Sequence, residues 1–379
     1  MSLKSSFRII KKKLGMLIPA VIIIGSAPPY YLLWLVWKLF SLVLPSWIYQ
    51  KGDDICYCCY QRFILFFFEN LSGMEIIFHG DALEVMKKKE RVIYMSNHQS
   101  TMDWIVVHML AERQGSLGHV RYVMKDSLQA IPLYGFYFYQ HGCIFVKRGK
   151  FDGSKMNSAL SYLRDDKIPS WLVIFPEGTR FNPASVEILN KSRQFAEEQG
   201  LCPYSHLLTP RIRGLQMALD GLRSNLDAIY DVTVVYSNTF NKGFRVKAPS
   251  MFEMVTGSCK QLHIHVNRID ISVVPKTSED LKNWLFTVYH EKDKLLKTFY
   301  ENPCEAFPTS IKIPVKLTNT FGSFILMVLI SVPLVTTVYG RSLYWKAWLL
   351  GSVAGYFWLG LNKWQPRTHH EEVAASEFH

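Results

Sequence analysis

Three long stretches of this chain carry no charge: Leu14 to Trp37, Leu317 to Gly340 and Ala347 to Asn362. A helix needs roughly 20 apolar residues to cross a hydrocarbon layer, so the first two are long enough and the third is marginal. Helices of a soluble core rarely stay uncharged for so long, and apolar membrane helices at both ends are expected. The first stretch follows a basic start (Lys4, Arg8, Lys11, Lys12 and Lys13) and holds Pro28-Pro29 near its middle. Proline interrupts a helix. That leaves one kinked span, or two half-length helices in a re-entrant hairpin running past Lys38 to Trp47. Tyr30, Tyr31, Trp34, Trp37 and Trp47 suit the interfacial layer. A cleaved signal peptide also starts basic and apolar, but this run is too long and lacks a small-x-small site, so retention is expected. At the other end, Arg341 and Lys346 divide the apolar residues into one clear span and one shorter span or interfacial helix, then a polar tail. Basic residues flank both ends, which leaves the topology open.

The chain therefore divides into an anchoring segment (1–53), a central unit (54–314) and C-terminal membrane segments with a polar tail (315–379). In the central unit, Arg91 to Ser96, Cys143 to Val146, Trp171 to Phe175 and Val232 to Tyr236 are short apolar strands. Thr101 to Glu112 has helical spacing. Leu262, Ile264 and Val266 alternate with His263, His265 and Asn267, again as a strand. Alternating strands and helices predict an α/β sandwich around a mostly parallel sheet. The alternation accounts for His263 and His265 without a metal, since no further ligand follows at useful spacing.

The net charge of +12 points to anionic partners. No zinc-finger spacing and no aromatic–basic module favours nucleic acid, so membrane and phosphate-bearing metabolites lead. Seven cysteines, an odd number in a long chain, argue against a disulfide framework and for a reducing compartment. Cys56, Cys58 and Cys59 follow an apolar segment and are candidates for lipidation, buried thiols being the commoner case.

Chemistry concentrates in two segments. Asn97-His98-Gln99-Ser100-Thr101-Met102-Asp103 lies at a strand-to-helix junction, with Ser100 or Thr101 as the expected N-cap. On one helix, five residues turn through about 500°, which separates His98 from Asp103. They meet only if His98 lies in the turn before the helix and Asp103 in its first turn. The carboxylate then fixes the imidazole tautomer and leaves the other nitrogen as a base. The alternative is a carboxylate serving the helix dipole and a histidine capping a loop. The second segment, Trp171 to Arg180 (WLVIFPEGTR), runs from a strand into a turn. There Gly178 exposes backbone N–H groups, Thr179 adds a hydroxyl and Arg180 a fork suited to phosphate oxygens. Glu177 orients the loop or Arg180. A structural turn with a surface arginine is equally compatible. Lys125, the Lys147-Arg148 pair after Gly142 to Val146, and Pro210 in Leu208-Thr209-Pro210-Arg211 are weaker signals.

These segments, in this order, resemble the motifs of the glycerolipid (1-acyl-sn-glycerol-3-phosphate) acyltransferase family. NHQSTMD resembles its N-H-x-x-x-x-D motif, GCIFVKR its G-x-x-F-x-x-R block, FPEGTR its third motif and the Pro210 segment its proline-containing fourth. FFFEN, LGHVRYVMK, IPLYG, DAIYDVTVVY and HIHV extend the likeness over essentially the whole chain, above all to the epsilon group and its lysocardiolipin and lysophosphatidylglycerol relatives. The resemblance implies His98 as general base, Asp103 as its orienting carboxylate, and direct attack of an acceptor hydroxyl on acyl-CoA. It implies Arg180 with Gly178 and Thr179 at the acceptor phosphate, Glu177 behind that loop, and Arg148 and Lys125 assisting with anionic groups. Acyl-CoA is then a co-substrate, a lysophospholipid and the bilayer are the partners, and neither metal nor prosthetic group is required. Phe181-Asn182-Pro183 after the third motif, and Thr209-Pro210-Arg211 in place of an apolar–proline pair, depart from the usual pattern and leave the headgroup open. Lysophosphatidate is the leading acceptor. Lysophosphatidylinositol, lysophosphatidylglycerol or lysocardiolipin, and a non-enzymatic membrane lipid-binding protein, are the alternatives. The endoplasmic reticulum membrane is the expected location, with mitochondrial membrane and nuclear envelope also compatible.

Overall fold

The computed structural model describes residues 21–147, 156, 160, 162–165, 169–241 and 243–364. Arg148, the basic start and the polar tail lie outside them. The strands are β1 (Glu75–Gly80), β2 (Val92–Ser96), β3 (Val120–Lys125), β4 (Ile144–Val146), β5 (Trp171–Ile174), β6 (Ala228–Tyr236), the short β7 (Phe240–Asn241) and β8 (Phe244–Arg245), and β9 (Gln261–Asp270). One sheet has the order β1-β9-β6-β2-β5-β3-β4, while β7 and β8 pair separately. From β6 to β4 neighbouring strands are parallel; β9 lies antiparallel on β6, and β1 parallel to β9. The expected strands are present with shifted ends, β6 starting already at Ala228. β1 and β3 carry no clear sequence signal.

Side chains alternate between the faces of β2. Val92 and Tyr94 join one core and Ile93 and Met95 the other, all essentially inaccessible. Such period-two burial on both faces marks a central strand of a parallel sheet, each apolar side chain contributing about 1.5–3 kcal/mol. The main helices are α1 (Ala27–Phe40), α2 (Ser46–Leu65), α3 (Asp103–Gln114), α4 (Tyr134–Gln140), α5 (Val186–Glu198), α6 (Ile212–Leu222), α7 (Ser278–Glu301), α8 (Leu317–Thr336) and α9 (Val338–Trp364). Residues of α1, α2 and α3 fill one face of the sheet, and those of α6 and α7 the other. The result is the α/β sandwich.

The apolar ends differ from expectation in detail. Pro28 and Pro29 occupy the first positions of α1, where a missing N–H costs nothing, with a turn at Ser26 separating a short helical stretch before it. Tyr30, Tyr31 and Trp34 are buried in the protein rather than interfacial. Tyr30 stacks on Tyr60 at 4.2 Å and meets the edge of Tyr137, and Trp34 meets Phe136 and Tyr137. The outward residues Val36, Leu39, Phe40, Leu42 and Val43 are exposed. Val21–Val43 and Leu317–Thr336 are long and apolar enough to cross a membrane. α2 runs unbroken through position 53/54, so the anchoring segment continues directly into the central unit.

Arg341 lies inside α9 rather than between spans. Its Nη1 donates to the Thr336 and Val335 carbonyls at 2.9 and 3.3 Å, satisfying the end of α8. α9 is thus longer than the apolar run. It docks on the central unit through two glycines. A Cβ at Gly351 would lie 2.8 Å from Leu133, and one at Gly355 2.8 Å from Phe136. Leu133 has φ 61°, with the Tyr134 N–H bonded to the Pro132 carbonyl at 2.7 Å. This strained γ-turn presses the buried Leu133 side chain onto α9.

Candidate active site

β2, β3, β4, β5 and β6 end on the same side of the sheet, where open α/β folds gather their functional loops. The loop after β2 carries His98, and the loop after β5 carries Glu177 to Arg180. Asn97 fastens the first loop to β6: its amide nitrogen donates to the Val234 carbonyl at 3.0 Å, and its amide oxygen accepts the Val234 N–H at 2.8 Å.

The loop then winds round one carboxylate. Asp103 Oδ2 accepts His98 Nδ1–H at 2.7 Å and the backbone N–H groups of Gln99 (2.7 Å) and Ser100 (2.9 Å). Tyr236, at the end of β6, donates its hydroxyl to Asp103 Oδ1 at 2.7 Å. With the carboxylate as acceptor, Nδ1 carries the proton and Nε2 presents a lone pair. Nε2 bonds to none of the described residues. The imidazole stacks on Phe175 at 4.4 Å and keeps 22% of its side-chain surface exposed, whereas Asp103 is buried. Burial first, and the neighbouring Asp103 next, hold the Tyr236 phenol well above its ordinary range, so it stays a donor.

His98 thus lies before the helix and Asp103 is its first residue. The cap differs from expectation: neither Ser100 nor Thr101 is the N-cap, a place taken by Met102 without a side-chain bond. Ser100 Oγ instead accepts the Met102 N–H and donates to the Pro249 carbonyl. Its hydroxyl fixes the turn, because the carboxylate already serves the loop donors.

Glu177 is the hub behind the pair. Its Oε1 accepts the His98 N–H at 2.8 Å and its Oε2 the Leu208 N–H at 2.9 Å. Phe181 N–H donates to the His98 carbonyl (2.7 Å), and Arg211 N–H to the Pro176 carbonyl (2.8 Å). Three sequence motifs are thereby locked through backbone groups, with Pro210 buried between them. Burial pushes the Glu177 carboxyl up to about 8, against the pull of both N–H donors. Gly178 (φ +67°) forms the turn, and a Cβ there would meet only open space. Gly178 and Arg180 are exposed and Thr179 is half-buried. No ion pair occupies the Arg180 guanidinium among the described residues.

Lys125 is exposed at the end of β3. By register it lies level with Asn97 but two strands away, roughly 10 Å from the His98 loop. Arg148 falls outside the described residues. Asp53, Asp54 and His141 approach closely enough to hold a cation. However, Arg121 donates to Asp54 (2.5 Å) and to His141 Nε2 (2.9 Å), and His141 Nδ1 donates to Asp53, so the cluster is an internal ion-pair network. His263 accepts from or donates to His79 at 3.0 Å within an aromatic stack, apart from the site. Sequence reasoning misses Tyr236, whose only signal is a hydroxyl ending the apolar run of β6.

The histidine–carboxylate pair and the glycine–arginine loop thus stand side by side at one edge of the sheet, a positioned base next to an exposed cation. Residues 76–237 match the family model described as Acyltransferase, and residues 253–327 the one described as Acyltransferase C-terminus. Over 349 residues the chain is 46% identical to mouse 1-acyl-sn-glycerol-3-phosphate acyltransferase epsilon, covering 90% of this chain and 95% of that protein. It is 34% identical to the probable 1-acyl-sn-glycerol-3-phosphate acyltransferase 5 of Arabidopsis thaliana (62% of this chain, 60% of that one). It is 30% identical to chicken lysocardiolipin acyltransferase 1 (68% and 66%). The chain belongs to the glycerolipid acyltransferase family.

Proposed function

We propose that this acyltransferase moves an acyl group from acyl-CoA to the free hydroxyl of 1-acyl-sn-glycerol 3-phosphate, forming phosphatidate. The observation that carries the reading is His98, held at Nδ1 by a buried carboxylate with Nε2 bonded to none of the described residues. The hydroxyl oxygen attacks the thioester carbonyl while its proton passes to Nε2. Asp103 stabilises the imidazolium, and the collapsing intermediate expels the coenzyme A thiolate, which recovers the proton from His98. A positioned base of this kind contributes roughly 10²–10⁴ in rate. Arg180, with the backbone at Gly178 and Thr179, holds the acceptor phosphate, and Glu177 and Pro210 position that loop. Lys125 and Arg148 supply positive potential along the neighbouring strand ends. The chemistry needs no metal or prosthetic group. The apolar helices and basic charge suit a membrane of the endoplasmic reticulum, mitochondria or nuclear envelope.

The likeness to lysocardiolipin acyltransferase favours a second reading, in which another lysophospholipid accepts the acyl group. Purified protein given labelled acyl-CoA and a panel of lysophospholipids separates the two by the favoured acceptor. Transfer to none of them removes both. His98→Ala is expected to abolish turnover while the protein remains folded and membrane-bound; wild-type turnover in that variant excludes His98 as the base.

A further inference from the structure

Beside the His98 loop lies a cavity of about 150 Å³, walled by Phe181, Leu207, Leu208 and Tyr204 and carrying Arg193 and Arg245. A space of that volume takes a group the size of a benzene ring, not an acyl chain. Its position ties it to the site. Arg245 Nη2 donates to the Gln99 amide oxygen at 3.1 Å, one residue from His98, and its guanidinium lies 5.1 Å from the Phe181 ring and 4.6 Å from that of Tyr300. Nη1 donates to the Thr239 carbonyl at 3.2 Å, while Nε is buried without an acceptor among the described residues. Of five N–H donors, most therefore remain unspent. Arg193 is exposed on α5 at the rim, and no ion pair neutralises either arginine among the described residues. Two nearby carboxylates, Glu177 and Asp293, act on Arg245 through space without pairing with it. Glu177 spends both oxygens on the N–H groups of His98 and Leu208, and Asp293 spends both on those of Ser205 and His206.

We infer that this cavity is a second anion subsite, separate from Arg180, where Arg245 and Arg193 grip a phosphate group of a substrate bound at His98. The inference rests on the proposed acyl transfer. Two substrates bring such a group: coenzyme A through its nucleotide phosphates, and the acceptor through a headgroup larger than a single phosphate. The fixed fork of Arg245, flanked by aromatic rings, supplies direction, and the flexible Arg193 at the rim supplies capture.

The test uses the full chain in detergent micelles, as wild type, Arg193→Ala and Arg245→Gln, with folding checked by circular dichroism. Arg245 also ties Gln99 to Thr239, so Arg193→Ala, at an exposed position, decides the matter if Arg245→Gln fails to fold. The expected result is a KM raised roughly tenfold or more for one substrate with kcat little changed, the size of one lost charge-assisted hydrogen bond. A rise for acyl-CoA, together with lost discrimination against its 3′-dephospho form, assigns the donor. A rise for a large-headgroup acceptor assigns the acceptor. Wild-type KM values for both substrates in Arg193→Ala overturn the subsite. Should the wild type transfer no acyl group, calorimetric titration with coenzyme A and with inorganic phosphate still reads the cavity. Binding weakened in the arginine variants supports it, and equal binding, or none by the wild type, overturns it.

Discussion

Glu177→Gln tests whether the hub holds the site as described. The amide keeps one acceptor oxygen and turns an NH₂ toward the other backbone donor, so either the His98 or the Leu208 N–H loses its partner. A hydrogen bond to a charged group is worth about 1.5–3 kcal/mol, which sets the loss at a pH where Glu177 is ionised before any pH term is added. The pH term has the opposite sign. Burial raises the folded-state carboxyl to about 8 from 4.5. Its stabilising contribution is complete below the unfolded value and disappears as pH rises through the folded one. With the folded-state value above this window and the unfolded one below it, the wild type forfeits about 3 kcal/mol between pH 5.5 and 7.5, and glutamine forfeits none. Thermal melts of both proteins in the same detergent, at half-unit pH steps, read this directly. The variant melts below the wild type at pH 5.5, and the gap closes by a few degrees toward pH 7.5. Parallel pH profiles for the two proteins would refute the assignment of a raised, buried carboxyl at this position.

Tyr236→Phe removes one of the four donors on Asp103 without opening a cavity. It is expected to lower kcat by about tenfold or more, with little change in either KM, measured in steady-state assays. Arg180→Ala is expected to raise KM for the acceptor more than for acyl-CoA in the same assays; the reverse order would move Arg180 to the donor. Gly355→Leu drives a side chain into Phe136, 2.8 Å from the new Cβ, and is expected to cost about 1–3 kcal/mol, seen as a lowered melting temperature and faster proteolysis between α9 and the central unit.

What can be read from the chain without coordinates follows how local each signal is. The β2 and β5 runs are buried on both faces, so composition alone marks them, and the motifs at their ends inherit a position on the sheet. The turn before α3 follows from helix geometry, since the five-residue spacing of His98 and Asp103 permits no other meeting. The N-cap does not, because Ser100 answers to Pro249, far away in sequence. Tyr236 shows the same limit: it acts through Asp103, over a hundred residues distant, and nothing local distinguishes such a tyrosine from its neighbours. Glu177 is marked by its segment, but its bond to the distant His98 N–H is not. The aromatic residues of α1 mislead for a related reason. Interfacial belts and buried tyrosine stacks have one composition, and only the arrival of Tyr60 and Tyr137 decides between them.

The docking of α9 gives the positive charge a place. Lys125 ends β3, and the chain passes from it through Leu133 into α4, whose Phe136 and Tyr139 meet Trp358 of α9. The strand ends at β3 and β4 are therefore tied, through α4, to the apolar helix α9. Lys125 sits there, and Lys147 follows directly on β4. In the proposed reaction a lysophospholipid would leave its acyl chain among apolar side chains while its phosphate reaches the loop after β5, the next strand along. On that proposal the cations of β3 and β4 would lie on the route of the headgroup, and their attraction falls off within about 8 Å at physiological salt. They would therefore act on the approach of the phosphate rather than on its final seat, the place proposed for Arg180. Charge reversal at Lys125 should accordingly lower kcat/KM for the anionic acceptor at low salt and converge on the wild type as salt is raised, whereas the loss at Arg180, the proposed direct contact, is expected to persist.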